Sequence, residues 1–155
     1  MRRSRLVHVG ALAAALVLGS CAVSPGHPHA EADLRSAMGR YDELVRAMDA
    51  NGIADTYTED GELVSSGTIV VRGRKRIREF LAPFDTVLSV VEYENQIDTL
   101  RVDGRLGRVY GLYHQKSRLL ANHQERVAQG RFEADWILQP NGRWRIRRMS
   151  TEPIQ

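Results

Sequence analysis

Apolar and polar residues recur along this chain with two different periods. Between residues 31 and 48 the large apolar side chains recur every three or four positions, which is the period of an amphipathic helix: they are Leu34, Met38, Tyr41, Leu44, Val45 and Met48. Glu31 and Asp33 suit the positive end of the helix dipole. Asn51-Gly52 is a helix-stop signal, so we expect the first helix to end there.

Shorter elements are expected to follow this helix. A brief second helix is predicted over residues 53–58, and Asp60-Gly61 predicts a turn. Two short strands, over residues 63–64 and 69–71, surround Ser66-Gly67. A third helix is predicted over residues 74–81, and Pro83 is expected to close it.

Beyond Pro83 the period changes to two, which is typical of β-strands. The residues that alternate as one face of the first long strand are Val87, Ser89, Val91, Tyr93, Asn95 and Ile97. Turn signals at residues 103–104, 121–122 and 140–142 divide the rest of the chain into four antiparallel strands. Helices followed by such a series of strands indicate an α+β fold.

The first twenty residues have the three-part pattern of an exported protein. Three arginines precede an apolar run over residues 9–18, and small residues precede a cysteine. A helix needs about 20 residues to cross a bilayer, so we interpret residues 1–20 as a cleaved signal peptide and not as a membrane span.

Cys21, the only cysteine in the chain, lies in a pattern that resembles the lipobox of bacterial lipoproteins. The resemblance implies that the chain is cut before Cys21 and is held to a membrane by lipid on that residue. Ala22 resembles the outer-membrane sorting signal of Gram-negative bacteria. We therefore expect a lipid-anchored protein of the cell envelope, on the periplasmic face of the outer membrane.

Removal of the signal peptide changes the charge balance of the chain. The full sequence has 22 Lys and Arg against 19 Asp and Glu, and three of the basic residues lie in the signal peptide. The mature chain is therefore neutral, which argues against a nucleic-acid partner.

Residues 21–30 are predicted to form a short tether, because they are rich in proline and glycine and poor in large apolar residues. His27 and His29 are interpreted as solvated linker residues, since a metal site needs further ligands in fixed positions. Residues 31–155 have the length of a single domain.

Three runs of the mature chain resemble one protein family. They are residues 57–63 (YTEDGEL), 71–80 (VRGRKRIREF) and 132–146 (FEADWILQPNGRWRI). In this order and at these spacings they resemble the SnoaL-like and ketosteroid-isomerase-like branch of the nuclear transport factor 2-like (NTF2-like) superfamily. The resemblance implies a cone, in which three N-terminal helices pack on a curved antiparallel sheet and the open end holds a small apolar ligand.

The same resemblance bears on possible chemistry. In the steroid isomerases of this superfamily, a tyrosine on the first helix donates to a developing enolate and an aspartate removes a proton. Tyr41 matches the donor position, whereas Ser65 occupies the position of the base. A hydroxyl without a neighbouring base cannot replace a carboxylate, so steroid isomerase chemistry is not expected. Tyr41 also lies on the apolar stripe of its helix, and a role in the core is the alternative.

Four other titratable residues lie on or near predicted strands: Glu133, Asp135, His114 and His123. Glu133 and Asp135 alternate with Trp136 and other apolar residues, so they face away from the cone if the aromatic residues face into it. Neither histidine belongs to a metal-binding motif. Two arginine-rich clusters, around the third helix and on the last strand, are interpreted as solvent-facing residues with acidic neighbours.

These patterns favour a lipid-anchored cone that binds a small apolar or amphipathic molecule. The candidate pocket residues are Tyr41, Tyr57, Ser65, Tyr93, Tyr113 and Trp136. We expect membrane lipid on Cys21, an unidentified small molecule and a homodimer, with no cofactor, metal or nucleic acid. One alternative is a lyase, isomerase or cyclase with an unassigned acid or base, which would be favoured if His114, His123 or Glu133 lay inside the cone near Tyr41. The other is a structural domain that docks a partner.

Overall fold

The structure is a computed structural model and describes residues 29–154. Its helices are α1 (Ala30–Arg46), α2 (Ala50–Asp55) and α3 (Arg74–Leu81), and a short 3-10 helix over Ala82–Thr86 follows α3. The predicted signal peptide, Cys21 and residues 21–28 of the predicted tether lie outside the described residues.

Six strands form one curved sheet in this part of the chain. They are β1 (Tyr57–Ser65), β2 (Ile69–Arg72), β3 (Leu88–Asp103), β4 (Leu106–Leu119), β5 (Glu125–Leu138) and β6 (Trp144–Pro153). β3 to β6 form the predicted antiparallel series. β1 pairs with β6 in parallel, so the sheet is mixed and not antiparallel throughout. The α+β cone is confirmed.

The predicted end of the first helix is wrong. Asn51-Gly52 lies inside α2, where the Asp49 side chain accepts a 2.9 Å hydrogen bond from the Gly52 backbone N–H and caps the helix. The chain turns at Met48 instead, which has a φ of 55°. The short polar side chain of Asp49 thus decides where the second helix begins.

The predicted turn at Asp60-Gly61 is also wrong, because β1 continues through both residues. The pairing of β1 with β6 shifts register between Tyr57 and Glu62. The turn signal therefore marks an irregular stretch of strand and not the end of an element.

Irregular pairing in β3 changes which of its residues face the helices. Its pairing with β4 shifts register between Val90 and Glu92, so the alternation reverses there. Tyr93 faces inward as predicted, but Val87 and Val91 are 50% and 42% exposed. The neighbouring residues Leu88 and Val90 face the interior instead.

The hydrophobic core fills one end of the cone, which we call the packed end. Its central side chains are Leu34, Trp136, Trp144 and Ile146, all at least 90% buried. The β3–β4 and β5–β6 turns lie at this end, where the Leu34 side chain of α1 covers Gly107. Among residues 29–154 no helix is long and apolar enough to cross a membrane.

Candidate ligand-binding cavity

The other end of the cone, which we call the open end, contains a cavity of about 310 Å³ that is open to solvent. Its apolar walls include Val45, Leu63, Phe80, Phe84, Leu88 and Val90. Its polar groups are supplied by Tyr41, Ser65, Ser66, Tyr93, Tyr113, Gln115 and Thr151. No residue that lines the cavity has a charged side chain.

Small residues on β5 create this space. Tyr93 of β3 pairs with Gln115 of β4, and Gln115 pairs with Ala128 of β5. The side chain that β5 contributes to this row is therefore only a methyl group. In the next row Tyr113 pairs with Gly130. A Cβ at Gly130 would lie 2.6 Å from the Tyr113 ring, so only glycine leaves that ring room across the sheet.

Three tyrosines lie close together at the inner end of the cavity. Tyr41 and Tyr93 line it, and Tyr57 is fully buried behind Tyr41. Burial raises the pKa of all three phenols above their ordinary value. The hydroxyls therefore stay protonated at neutral pH and act as hydrogen-bond donors. The Tyr57 hydroxyl makes no hydrogen bond of good geometry, but it lies near enough to the Tyr41 hydroxyl for a weak interaction that contributes to the raised pKa of Tyr41, after burial.

A buried carboxyl group, that of Asp42 on α1, lies behind these tyrosines. Asp42 is 8% exposed, and its Oδ1 accepts a 2.6 Å hydrogen bond from Nδ2 of Asn95. The same Nδ2 lies 3.3 Å from the Tyr93 hydroxyl. Burial raises the pKa of Asp42 from 3.8 to about 6, against the opposing effects of the Asn95 hydrogen bond and of Arg46.

This arrangement gives the cavity a carboxylate that is connected to it through Asn95 and Tyr93. Asp42 is ionised at neutral pH and takes up a proton in mildly acidic solution. It does not itself line the cavity. Its charge can influence a ligand through space, and its hydrogen bond fixes the orientation of the Asn95 amide.

The predicted pocket residues divide into two groups. Tyr41, Ser65, Tyr93 and Tyr113 line the cavity, and Tyr57 lies directly behind it. Trp136 does not line it, because its side chain is 1% exposed and packs in the core of the packed end. The expectation that Trp136 belongs to the pocket is therefore wrong.

The three residues considered as the acid or base of an enzyme lie outside the cavity. Glu133 and His114 are exposed on the convex face of the sheet. His123 lies in the β4–β5 turn, with a φ of 58°. Among residues 29–154 no group of three His, Cys, Asp or Glu side chains is placed to hold a metal ion.

A larger groove, of about 480 Å³, runs over the convex face. It contains an ion-pair cluster in which Asp135 contacts Arg108 at 3.1 Å and Arg147 at 3.6 Å. Its walls are charged and exposed, so it does not suit an apolar ligand. The arginines of these strands thus have acidic neighbours.

Asp42 is the site residue that the sequence patterns did not reveal. It follows Met38 by four positions and Leu34 by eight, so it lies on the apolar stripe of α1. An acidic residue at a buried helical position must be paired, hydrogen-bonded or neutralised. That spacing is the feature of the sequence that marks Asp42.

The fold and the cavity define a cone of the NTF2-like class. Residues 28–150 match the model of the SnoaL-like domain family, and the chain belongs to that family. No curated protein matches its sequence at a significant level.

Solved structures of the same class agree with the fold. A ketosteroid isomerase-like protein from Erwinia carotovora atroseptica superposes with a TM-score of 0.73 at 17% identity, over 83% of this chain and 98% of that one. A protein of unknown function from Mycobacterium tuberculosis has a TM-score of 0.70 at 22% identity, over 80% and 76%. An NTF2-like superfamily protein from Salmonella enterica gives 0.69 at 17% identity, over 81% and 91%.

Proposed function

We propose that this chain is a lipoprotein of the cell envelope whose cone binds a small apolar or amphipathic molecule. The observation that carries the binding proposal is the open cavity of about 310 Å³, with apolar walls and a few hydrogen-bonding groups at its inner end. Concave, mostly apolar sites with few polar groups are typical of small-molecule binding. A purely structural domain would be favoured by a cavity filled with side chains.

The binding proposal is tested with Nile red, an uncharged apolar dye that fluoresces when it leaves water. The wild-type domain is expected to bind it, and Ala128→Phe to lose that binding because the new ring fills the cavity. Gln129→Phe is the matched control, since the adjacent side chain is exposed on the convex face. If Ala128→Phe bound the dye as tightly as Gln129→Phe does, the dye would bind elsewhere on the protein.

The anchor is a separate part of this proposal and rests on the lipobox pattern around Cys21. Cells that express the full chain are grown with a clickable fatty-acid analogue. We expect the label on the wild-type protein and none on Cys21→Ala, with the labelled protein in the outer-membrane fraction. A Cys21→Ala protein that still carried label would overturn the anchor.

The proposal includes a homodimer through the convex face of the sheet. Leu112 and Val127 support it, because they are 37% and 62% exposed on that face. Native mass spectrometry is expected to give twice the mass of the chain, and Leu112→Arg to give a monomer. A monomeric wild-type domain would remove the dimer and leave the binding proposal unaffected.

A second candidate function is proton transfer, and Asp42 is the observation that favours it. Its carboxyl group has a pKa of about 6 and lies behind the cavity, separated from it by Asn95 and Tyr93, so proton transfer to a ligand would require a side-chain movement or a water molecule that connects the two. Such a group suits general acid or base catalysis near neutral pH. The test is exchange of the α-protons of 2-decanone in heavy water, followed by NMR; a rate that is the same with Asp42→Asn would exclude this role.

A further inference from the structure

The open end has a one-sided distribution of charge. The cavity lining contains no lysine, arginine, histidine or carboxylate. Behind it lies Asp42, joined to the lining residue Tyr93 through Asn95 by contacts of 2.6 and 3.3 Å. A ligand in the cavity therefore meets a buried negative charge and no positive charge on the cavity wall.

The positive charges near Asp42 do not cancel it. Arg46 donates from Nε to the Tyr93 backbone oxygen at 2.9 Å, and its charge offsets that of Asp42 in part, because the side chain is exposed and solvent screens it. Glu94 adds further negative charge on the side of β3. Burial is the main cause of the raised pKa of two of the cavity phenols, Tyr41 and Tyr93, and the negative charge of Asp42 raises it further. The field of Asp42 thus reaches the groups that a ligand would contact.

We infer that the cavity selects its ligand by charge: it binds uncharged amphipathic molecules, discriminates against carboxylates such as fatty acids, and owes this discrimination to Asp42. The inference rests on the proposed binding function. It identifies Asp42 as a specificity-determining residue, although the side chain does not line the cavity.

Two effects combine against an anionic ligand. Any ion loses hydration when it enters an apolar cavity, so anions and cations are both penalised. Two features of the site depend on the sign of the ligand charge: the field of Asp42 repels an anion and attracts a cation, whereas the phenol donors favour an anion, and we expect the field to outweigh them. The protonated tyrosines offer donors to a hydroxyl, carbonyl or ester group, which gives an uncharged head group its hydrogen bonds.

The test compares decanol, decanoate and decylamine, which share one apolar chain and differ in charge. Each displaces Nile red from the wild-type domain at about pH 8, where Asp42 and decanoate are ionised and decylamine is protonated. We expect decanol to bind most tightly. Decanoate should bind at least about tenfold more weakly than decylamine, because only the anion is repelled.

Asp42→Asn removes the charge and keeps an oxygen that can accept from Asn95. The affinities of decanoate and decylamine for this variant should agree within about threefold, while that of decanol is unchanged. Glu43→Gln removes the same charge from the exposed face of α1 and should preserve the wild-type difference. If Asp42→Asn does not fold, wild-type protein at about pH 5 replaces it: protonation of Asp42 should weaken decylamine relative to decanol.

The outcomes separate this inference from the proposed function. If decanoate binds the wild type as well as decylamine does, or if the difference persists in Asp42→Asn, charge selection by Asp42 is wrong and binding stands. If none of the three molecules displaces Nile red and the dye itself does not bind, the proposed function fails as well.

Discussion

The two ends of the cone are built from the same strands, yet one is filled and the other is open. At the packed end, β5 and β6 contribute Trp136 and Trp144, which close over Leu34 of α1. At the open end, β5 contributes Ala128 and Gly130 to the same concave face. The pairing of β5 with β4 continues from one end to the other, and that with β6 extends as far as Gly130. The size of the side chains along β5 therefore decides where the cavity lies.

The two ends also differ in the polar atoms that they bury. The packed end buries mostly carbon, together with the unpaired indole N–H of Trp136, whereas three phenols and one carboxyl group are buried at the inner end of the cavity. Burial of such groups costs stability unless each one is hydrogen-bonded. We therefore expect the packed end to supply stability and the inner end of the cavity to reduce it in exchange for binding.

The largest effect should come from truncation at the packed end. Trp136→Ala is expected to lower the free energy of unfolding by about 3–5 kcal/mol, because it leaves a void in a close-packed core. Phe84→Ala at the open end should cost only about 1 kcal/mol, because the ring is 37% exposed and already borders an empty space. Urea unfolding of both variants measures the difference.

Ligand binding should show the reverse order. Phe84→Ala is expected to weaken the binding of Nile red, since Phe84 forms part of the cavity wall. A Trp136→Ala protein that remains folded should bind the dye as the wild type does. Equal losses of stability in the two variants would contradict the division into a packed and an open end.

The next effect concerns pH. The pKa of Asp42 is raised from 3.8 to about 6 by folding, so the folded protein holds this proton more tightly than the unfolded chain. The contribution of Asp42 to stability is therefore greatest below about pH 4 and is lost as pH rises to about 6. The loss is at most about 3 kcal/mol, since one pKa unit corresponds to about 1.4 kcal/mol.

Asp42→Asn isolates this contribution from that of other carboxylates. The variant should become more stable relative to wild type as pH rises from about 4 to 6, and the difference should then stay constant. Glu43→Gln, at an exposed position of the same helix, should show no such trend. Urea unfolding at several pH values gives the comparison, and a difference between wild type and Asp42→Asn that is independent of pH would refute a raised pKa.

Periodicity was enough to predict the class of fold and most elements. The bounds of α3 are confirmed, because the helix lies between Gly73 and Pro83, and β4 lies between the turn signals at residues 103–104 and 121–122. The parallel pairing of β1 with β6 could not be predicted, since the period of a strand does not reveal its neighbour. The alternation predicted for β3 failed at Val91, where irregular pairing inserts a residue that no local signal marks.

The candidate site was predictable only in part. Tyr41 and Tyr93 follow from their positions on a helical stripe and an alternating strand. Trp136 has the same parity as other inward residues, but parity does not indicate which end of the cone a residue occupies. Asp42 depends on Asn95, 53 positions away in the chain. Contacts of that kind arise only when the chain folds.

The smallest effect tests the boundary between the two ends, where Tyr57 lies. Its hydroxyl is buried without a hydrogen bond of good geometry, so Tyr57→Phe should leave the free energy of unfolding unchanged or raise it by up to about 1 kcal/mol. Thr56→Val is the matched control, because the Thr56 hydroxyl donates to the Ile53 backbone oxygen at 2.6 Å. Loss of this hydrogen bond should lower the free energy of unfolding by about 1 kcal/mol. If Tyr57→Phe proved as costly as Thr56→Val in urea unfolding, the Tyr57 hydroxyl would have a well-formed hydrogen bond in the folded protein.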